Sequence, residues 1–167
     1  RQLVSDMPLC TFLSGGLDSS IITKFASDYC EKQGLPPLDT YSIDYVDNDK
    51  NFVKSDFQPN SDGFYIDLMN TNLHTNHHKI VIDTPELADA LEDAMIARDM
   101  PGMADIDSSL LLFCKNVKKQ MTVALTGECA DEIFGGYPWF FREDALKSNT
   151  FPWSISLTER QKLLNPY

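Results

Sequence analysis

Leu13-Ser14-Gly15-Gly16-Leu17-Asp18-Ser19-Ser20 follows the apolar run Pro8–Phe12 and leads into a helical pattern from Ile21 onward. A strand, a paired-glycine turn and a helix start, in that order, make an anion site. The glycines turn the chain tightly and expose its amides, and the unpaired N–H groups of the first helical turn carry partial positive charge. Ser14, Ser19 and Ser20 add hydroxyl donors. Asp18 repels phosphate unless a divalent cation lies between the two anions, so the octapeptide predicts phosphate with magnesium, the carboxylate being a metal ligand. A Walker A loop needs a lysine after its second glycine, and Leu17 and Asp18 stand there instead; the dinucleotide fingerprint is missing too. The plainer alternative is a strand-to-helix turn whose Ser and Asp only cap the helix.

Working outward, short apolar runs alternate with helical patterns, the rhythm of an α/β domain. Leu9–Leu13, Thr40–Tyr45, Lys79–Ile82 and Met121–Leu125 read as strands. Helices are expected from Ser19 to Glu31, stopped by Gly34 and two prolines, over Ser61–Thr75, from a Thr84 N-cap with Pro85 at the first position through Leu87, Leu91, Met95 and Arg98, and over Ser108–Lys118. Helical crossovers imply a three-layer, doubly wound and mostly parallel sheet, with ligands beyond the carboxyl ends of the strands where strand order reverses. Two unusual loops, Ser14–Ser20 and Thr126–Gly136, follow the first and last strands. Bringing both to one crevice requires those strands to be neighbours, hence strand order 3-2-1-4. Asp44–Ser61 is polar and without periodicity, a solvated surface loop or a cover over the crevice.

The chain has 167 residues, 43% of them hydrophobic and 23% charged, which suits one globular domain over 1–167. A formal charge of −11 argues against nucleic acid as a partner, while local amides and magnesium can still accommodate a nucleotide in one crevice. No apolar run approaches ~18 residues and no signal or transit pattern opens the chain, so a cytoplasmic protein without a membrane partner is expected. Cys10, Cys30, Cys114 and Cys129 include no C-x-x-C pair and read as free thiols, Cys10 and Cys114 in the core.

The second motif, Thr126-Gly127-Glu128-Cys129-Ala130-Asp131-Glu132-Ile133-Phe134-Gly135-Gly136-Tyr137, places three carboxylates within five residues just after a strand. Such crowding is costly unless a cation or a functional pKa shift resolves it, although helix starts favour acids by themselves. Together the two motifs resemble the glutamine-hydrolysing asparagine synthetase family, within the ATP pyrophosphatases of the adenine nucleotide alpha hydrolase-like (HUP) fold. Asp6–Ser20 is similar to its S-D-(V/M)-P approach and S-G-G-L-D-S-S loop, and Thr126–Tyr137 to its (S/T)-G-E-G-(A/S)-D-E-x-F-G-G-Y. His77-His78-Lys79 and Arg98–Ser109 resemble its strand entry and the segment leading into a substrate-side helix.

The resemblance implies ATP and magnesium, adenylation of the aspartate side-chain carboxylate with release of pyrophosphate, and displacement of AMP by ammonia derived from glutamine. It assigns Ser14, Gly15, Gly16, Asp18 and Ser19 to the pyrophosphate, Leu13 and Ile43 to adenine through backbone groups, and Thr126 and Gly127 to the ribose and α-phosphate. Asp18 and Asp131 become magnesium ligands, and Glu128 the base for ammonia or a positioning group. It further implies an N-terminal glutaminase domain and a lysine and helices beyond the second motif, so that this chain is a piece of the synthetase domain, and it allows a homodimer. Lys147 and Lys162 match no motif. A related amide-forming ligase with another acceptor, or an ATP- or AMP-binding module, shares both motifs.

Cys129 stands where the family usually has glycine. A side chain there removes easy access to positive φ, so either that backbone is ordinary here or the loop is reshaped; its acidic neighbours argue against a nucleophile. His74, His77 and His78 lack the spacing of a metal set and read as an exposed helix end turning into a strand. The cluster Tyr137–Phe141 reads as packing.

Overall fold

The computed structural model describes residues 2–54, 60–100, 102–151 and 157–162. They fall into two compact units, Arg1–Gly127 and Glu128–Tyr167. The first is built on four parallel strands, β1 (Leu9–Phe12), β2 (Leu38–Tyr45), β3 (Thr75–Ile82) and β4 (Val123–Leu125), in the expected order β3-β2-β1-β4. Cys10 pairs with Asp39 on one side and Ala124 on the other, so strand order reverses at β1. A crevice for ligands forms at such a reversal.

Alternation along the strands decides what each face packs against. Cys10, Phe12, Tyr41, Ile43, Ile80 and Ala124 form one apolar face with Phe113 and Val117 of α6 (Ala104–Val117). The opposite face is hydroxyl-rich. Buried Thr11 bonds Thr23 of α1 (Leu17–Lys32), Oγ1 to Oγ1, at 3.0 Å, and buried Thr40 and Ser42 bond His77. Helices on both faces complete the three layers. Burial, then the charge of Asp39, pushes the Cys10 thiol up to about 11, which fits an inert core position.

Four expectations are corrected. β3 begins at Thr75, four residues before Lys79, and α3 (Asp62–Asn72) stops correspondingly early. The added strand is stable because its histidines are satisfied: His77 Nδ1 lies 2.9 Å from Thr40 Oγ1 and Nε2 3.0 Å from Ser42 Oγ, while His78 bonds Asp39 at 2.7 Å and stacks on Tyr41. The expected third helix is two, α4 (Thr84–Asp89) and α5 (Leu91–Arg98), and Asp83 rather than Thr84 caps it. The Asp83 carboxylate accepts from the Thr84 amide at 2.7 Å and Glu86 accepts from the Asp83 amide at 3.0 Å, so Pro85 sits at the second position. α6 starts at Ala104, four residues before Ser108, whose buried hydroxyl donates back to the Ala104 carbonyl. Cys114 is exposed on α6, not in the core.

The polar stretch Asp44–Ser61 begins inside β2 and contains a one-turn helix, α2 (Asn48–Asn51); residues 55–59 lie outside the described set. Among the described residues no helix is long and apolar enough to cross a membrane. The second unit contains α7 (Ala130–Phe134), a 3-10 turn at Pro138–Phe140, α8 (Glu143–Leu146) and α9 (Leu157–Gln161).

Candidate functional site

Leu13 extends β1 by one bond, its amide donating to the Tyr41 carbonyl at 2.8 Å, and its side chain is buried. The loop then leaves the sheet under a brace of two serines. Ser19 Oγ donates its one proton to the Gly16 carbonyl at 3.1 Å, so it accepts from the Ser14 amide at 3.2 Å and from the Ser14 hydroxyl at 3.0 Å. The Gly16 amide reaches back to Ser14 Oγ at 3.4 Å. Two side chains and three backbone groups therefore fix the turn.

Gly15 has φ +80°, and a Cβ there would stand 2.9 Å from both the Asp62 carbonyl and Tyr65 Cβ, so the first turn of α3 backs the loop. Gly16 is the N-cap of α1, and no side chain caps that helix end. The 16-residue helix thus opens without a side-chain cap on its first amides, with half-buried Asp18 in the opening turn. The alternative of a merely capped helix is not what the serines do: Ser14 and Ser19 bond within the loop.

The second loop meets the first at Gly127. β4 runs parallel to β1 with Leu125 opposite Thr11, which brings Thr126 and Gly127 to the carboxyl end of β1. A Cβ on Gly127 would lie 2.9 Å from the Ser19 amide nitrogen and 3.1 Å from Asp18 Cβ, so only glycine permits this approach. Leu13, Ser14, Gly15, Gly16, Asp18, Ser19, Thr126 and Gly127 are thereby gathered at one end of the sheet. Ile43, on β2 opposite Ile80, is one strand over.

Glu128 and Asp131 belong to the second unit. Cys129 is the N-cap of α7 at φ +68°, in the left-handed region, so the backbone there is not ordinary and the side chain bears the strain itself. The Asp131 carboxylate folds back over Gly136, whose amide donates to the Asp131 carbonyl at 3.0 Å. Tyr137 donates its hydroxyl to Glu132 at 3.1 Å; that bond, then desolvation and the charges of Glu132, Asp131 and Glu128, raises the phenol's pKa. Its ring stacks on Trp139 at 4.3 Å, while Phe140 and Phe141 are exposed, so the cluster packs only in part. Glu128 is exposed.

Among the described residues no three His, Cys, Asp or Glu side chains cluster to hold a metal unaided. The donor set at the loop, one carboxylate beside uncapped helix amides and hydroxyls, suits a cation shared with phosphate oxygens. Sequence reasoning missed the backing of the loop by α3 and the role of Asp44, which binds Lys79 at 2.6 Å, the Tyr45 amide at 2.9 Å and Asn48 at 2.9 Å. Burial raises the Asp44 carboxyl's pKa, but these bonds outweigh it and hold the group below its usual value. The adjacency of Asp44 to Ile43 was the available signal.

The asparagine synthase family model matches residues 1–167. Asparagine synthetase [glutamine-hydrolyzing] 3 of Bacillus subtilis (strain 168) is 59% identical over 165 residues, which are 99% of this chain and 26% of that protein. Asparagine synthetase [glutamine-hydrolyzing] 1 of the same organism is 31% identical over 134 residues, 80% of this chain and 19% of that protein. Amidase chyE of Penicillium rubens is 31% identical over 173 residues, 98% of this chain and 25% of that protein. The chain spans about a quarter of the length of these relatives.

Proposed function

Because the chain belongs to the asparagine synthase family, we propose that it carries the ATP site of an amide-forming ligase that adenylates the aspartate side-chain carboxylate and passes the acyl group to ammonia. The observation that carries this reading is the braced Ser14–Gly16 turn, opening onto the uncapped start of α1 with Gly127 against the Ser19 amide. Attack of a carboxylate on the α-phosphate joins two anions, and fixed amides offset that charge without reorganising during the reaction. Ser14, Gly15, Gly16 and Ser19 hold the pyrophosphate, Leu13 and Ile43 meet adenine through their backbones, and Thr126 and Gly127 meet the ribose and α-phosphate.

Asp18 and Asp131 are each assigned as a magnesium ligand, where bound magnesium would screen the phosphates and stabilise the departing pyrophosphate. Glu128 takes the proton from the attacking amine or positions the intermediate. Glutamine supplies the ammonia through a glutaminase domain of the longer protein, and the reaction is placed in the cytoplasm. The single-domain reading of 1–167 is kept within this proposal. One alternative, a related amide-forming ligase with another acceptor, is kept because a protein named an amidase matches at the same 31% identity as asparagine synthetase 1.

ATP–pyrophosphate exchange by the full-length protein, with and without aspartate, tests the reading. Aspartate-dependent exchange supports it, exchange that needs another carboxylate moves the acceptor, and no exchange with any carboxylate overturns it.

A further inference from the structure

α1 is packed inside out. Its buried residues are small or hydroxylic, Ser19, Thr23, Ala26 and Ser27, and Thr23 is held by Thr11 of β1 at 3.0 Å. Its large apolar residues face the other way: Leu17 is 74% and Phe25 71% exposed, with Ile21 exposed between them. Residues four apart lie nearly in line along a helix, so the three make one ridge about 12 Å long. The ridge carries no charge, and the charged residues beside it, Lys24 and Asp28, pair with each other. A helix that meets only water turns polar side chains to that side, and α1 turns its apolar ones.

α3 repeats the pattern. Phe64 is 69% exposed and Leu68, four residues on, is exposed too, while Ile66 is buried beneath them. Strands β1, β2 and β3 follow in order across the sheet, and right-handed crossovers put α1 and α3 on the same face. Tyr65, also exposed, joins the two at one end: its ring meets that of Phe64 edge-on at 5.3 Å, and its Cβ stands behind Gly15, two residues before Leu17. Two outward ridges of this spacing on neighbouring helices form the kind of groove into which a third helix packs.

Size decides the occupant. Six side chains on two helices fall far short of the ~20–30 residues a side that a freely associating partner or a second copy needs. A segment of the same polypeptide can bind with less area, because tethering holds it at ~mM effective concentration. This chain spans 26% of asparagine synthetase 3 of Bacillus subtilis, so about three quarters of such a polypeptide lies outside it. We propose that the ridges of α1 and α3 seat an amphipathic helix contributed by the longer polypeptide from outside residues 1–167. Leu17 directly follows the Gly16 N-cap, so the seated helix borders the braced Ser14–Gly16 turn and screens that side of it from water.

In the full-length protein, Leu17 and Phe25 are replaced in turn by the photocrosslinking residue p-benzoylphenylalanine. Crosslinked peptides are then identified by mass spectrometry from a mixture of isotopically light and heavy protein. Both positions are expected to crosslink to one amphipathic peptide outside residues 1–167, light to light and heavy to heavy, with a yield unchanged over a ~10-fold range of protein concentration. Light-to-heavy crosslinks would give the groove to a second copy; crosslinks confined to residues 1–167, or none, would leave it without the proposed helix. Each of these overturns the inference. Ile21→Cys tests it with a side chain too small to crowd the groove: maleimide should label it at least ~10-fold more slowly in the native protein than in urea, and equal rates overturn the inference as well.

Discussion

The turn at Ser14–Ser19 and the turn at Cys129–Gly136 are both glycine-flanked and acidic, yet they are held by different means. The first is locked by two serines, backed by α3 and continued by a 16-residue helix whose Thr23, Ala26 and Ser27 are buried. The second is a five-residue helix between two left-handed residues, with Ile133 73% and Phe134 81% exposed, and it is held by bonds of its own short segment. The more extensively bonded turn is the one proposed to hold phosphate, while the carboxylate-bearing turn carries strain at Cys129. Adding a side chain at left-handed Gly15 and removing one at left-handed Cys129 therefore have opposite signs.

Gly15→Ala should have the largest effect. The left-handed backbone costs a side chain ~1–2 kcal/mol, and overpacking against Asp62 and Tyr65 adds ~1–3 kcal/mol. A loss of ~3 kcal/mol, read from the urea midpoint at constant slope, is a large share of a domain's ~5–15 kcal/mol. Asp18→Asn comes next. Asp18 is a proposed magnesium ligand, and its loss should lower magnesium-dependent ATP affinity by ~10–100-fold while the melting temperature stays put. Unchanged affinity in calorimetry would remove Asp18 from the metal.

Cys129→Gly reverses the sign. Relief of the left-handed side chain, ~1–2 kcal/mol, outweighs the ~0.4–1 kcal/mol of added unfolded-chain entropy, for a net gain of about 0.5–1 kcal/mol by thermal melting. A destabilised Cys129→Gly protein would show that the cysteine side chain is a structural contact and would break the contrast.

Strand order was legible because the two unusual loops after the first and last strands, brought to one crevice, require those strands to be neighbours; the approach of Gly127 to the Ser19 amide came only with the structure. The features that were not legible depend on partners distant in sequence. His77 and His78 carry no strand signal by themselves and become strand residues through Thr40, Ser42 and Asp39, some 35 to 39 positions away. The break at Ala90 has no glycine or proline to announce it. Cys114 looked apolar in pattern, but the helix turns it outward. At Cys129 the residue type pointed away from positive φ, and the surrounding turn overrode it.

The smallest expected effect lies in the hydroxyl-rich face of the sheet, where His77 has Thr40 and Ser42 on its two nitrogens. Burial, then the neighbouring charge of His78, lowers its pKa; Asp67 opposes the shift and Lys79 adds to it. The folded protein therefore favours neutral His77. Above the unfolded pKa near ~6.5 the contribution of neutral His77 is fully present. As pH falls below that value the unfolded chain takes up a proton that the folded chain resists, so stability declines until the folded pKa is passed. Asp44, with a depressed pKa, acts with the same sign in a separate window, below the unfolded carboxylate value of ~3.9. Urea midpoints between pH 7.5 and 5 should thus fall for wild type and fall less for His77→Gln, with the two proteins converging toward the acid end. Parallel curves would mean that the imidazole is as well placed charged as neutral between Thr40 and Ser42.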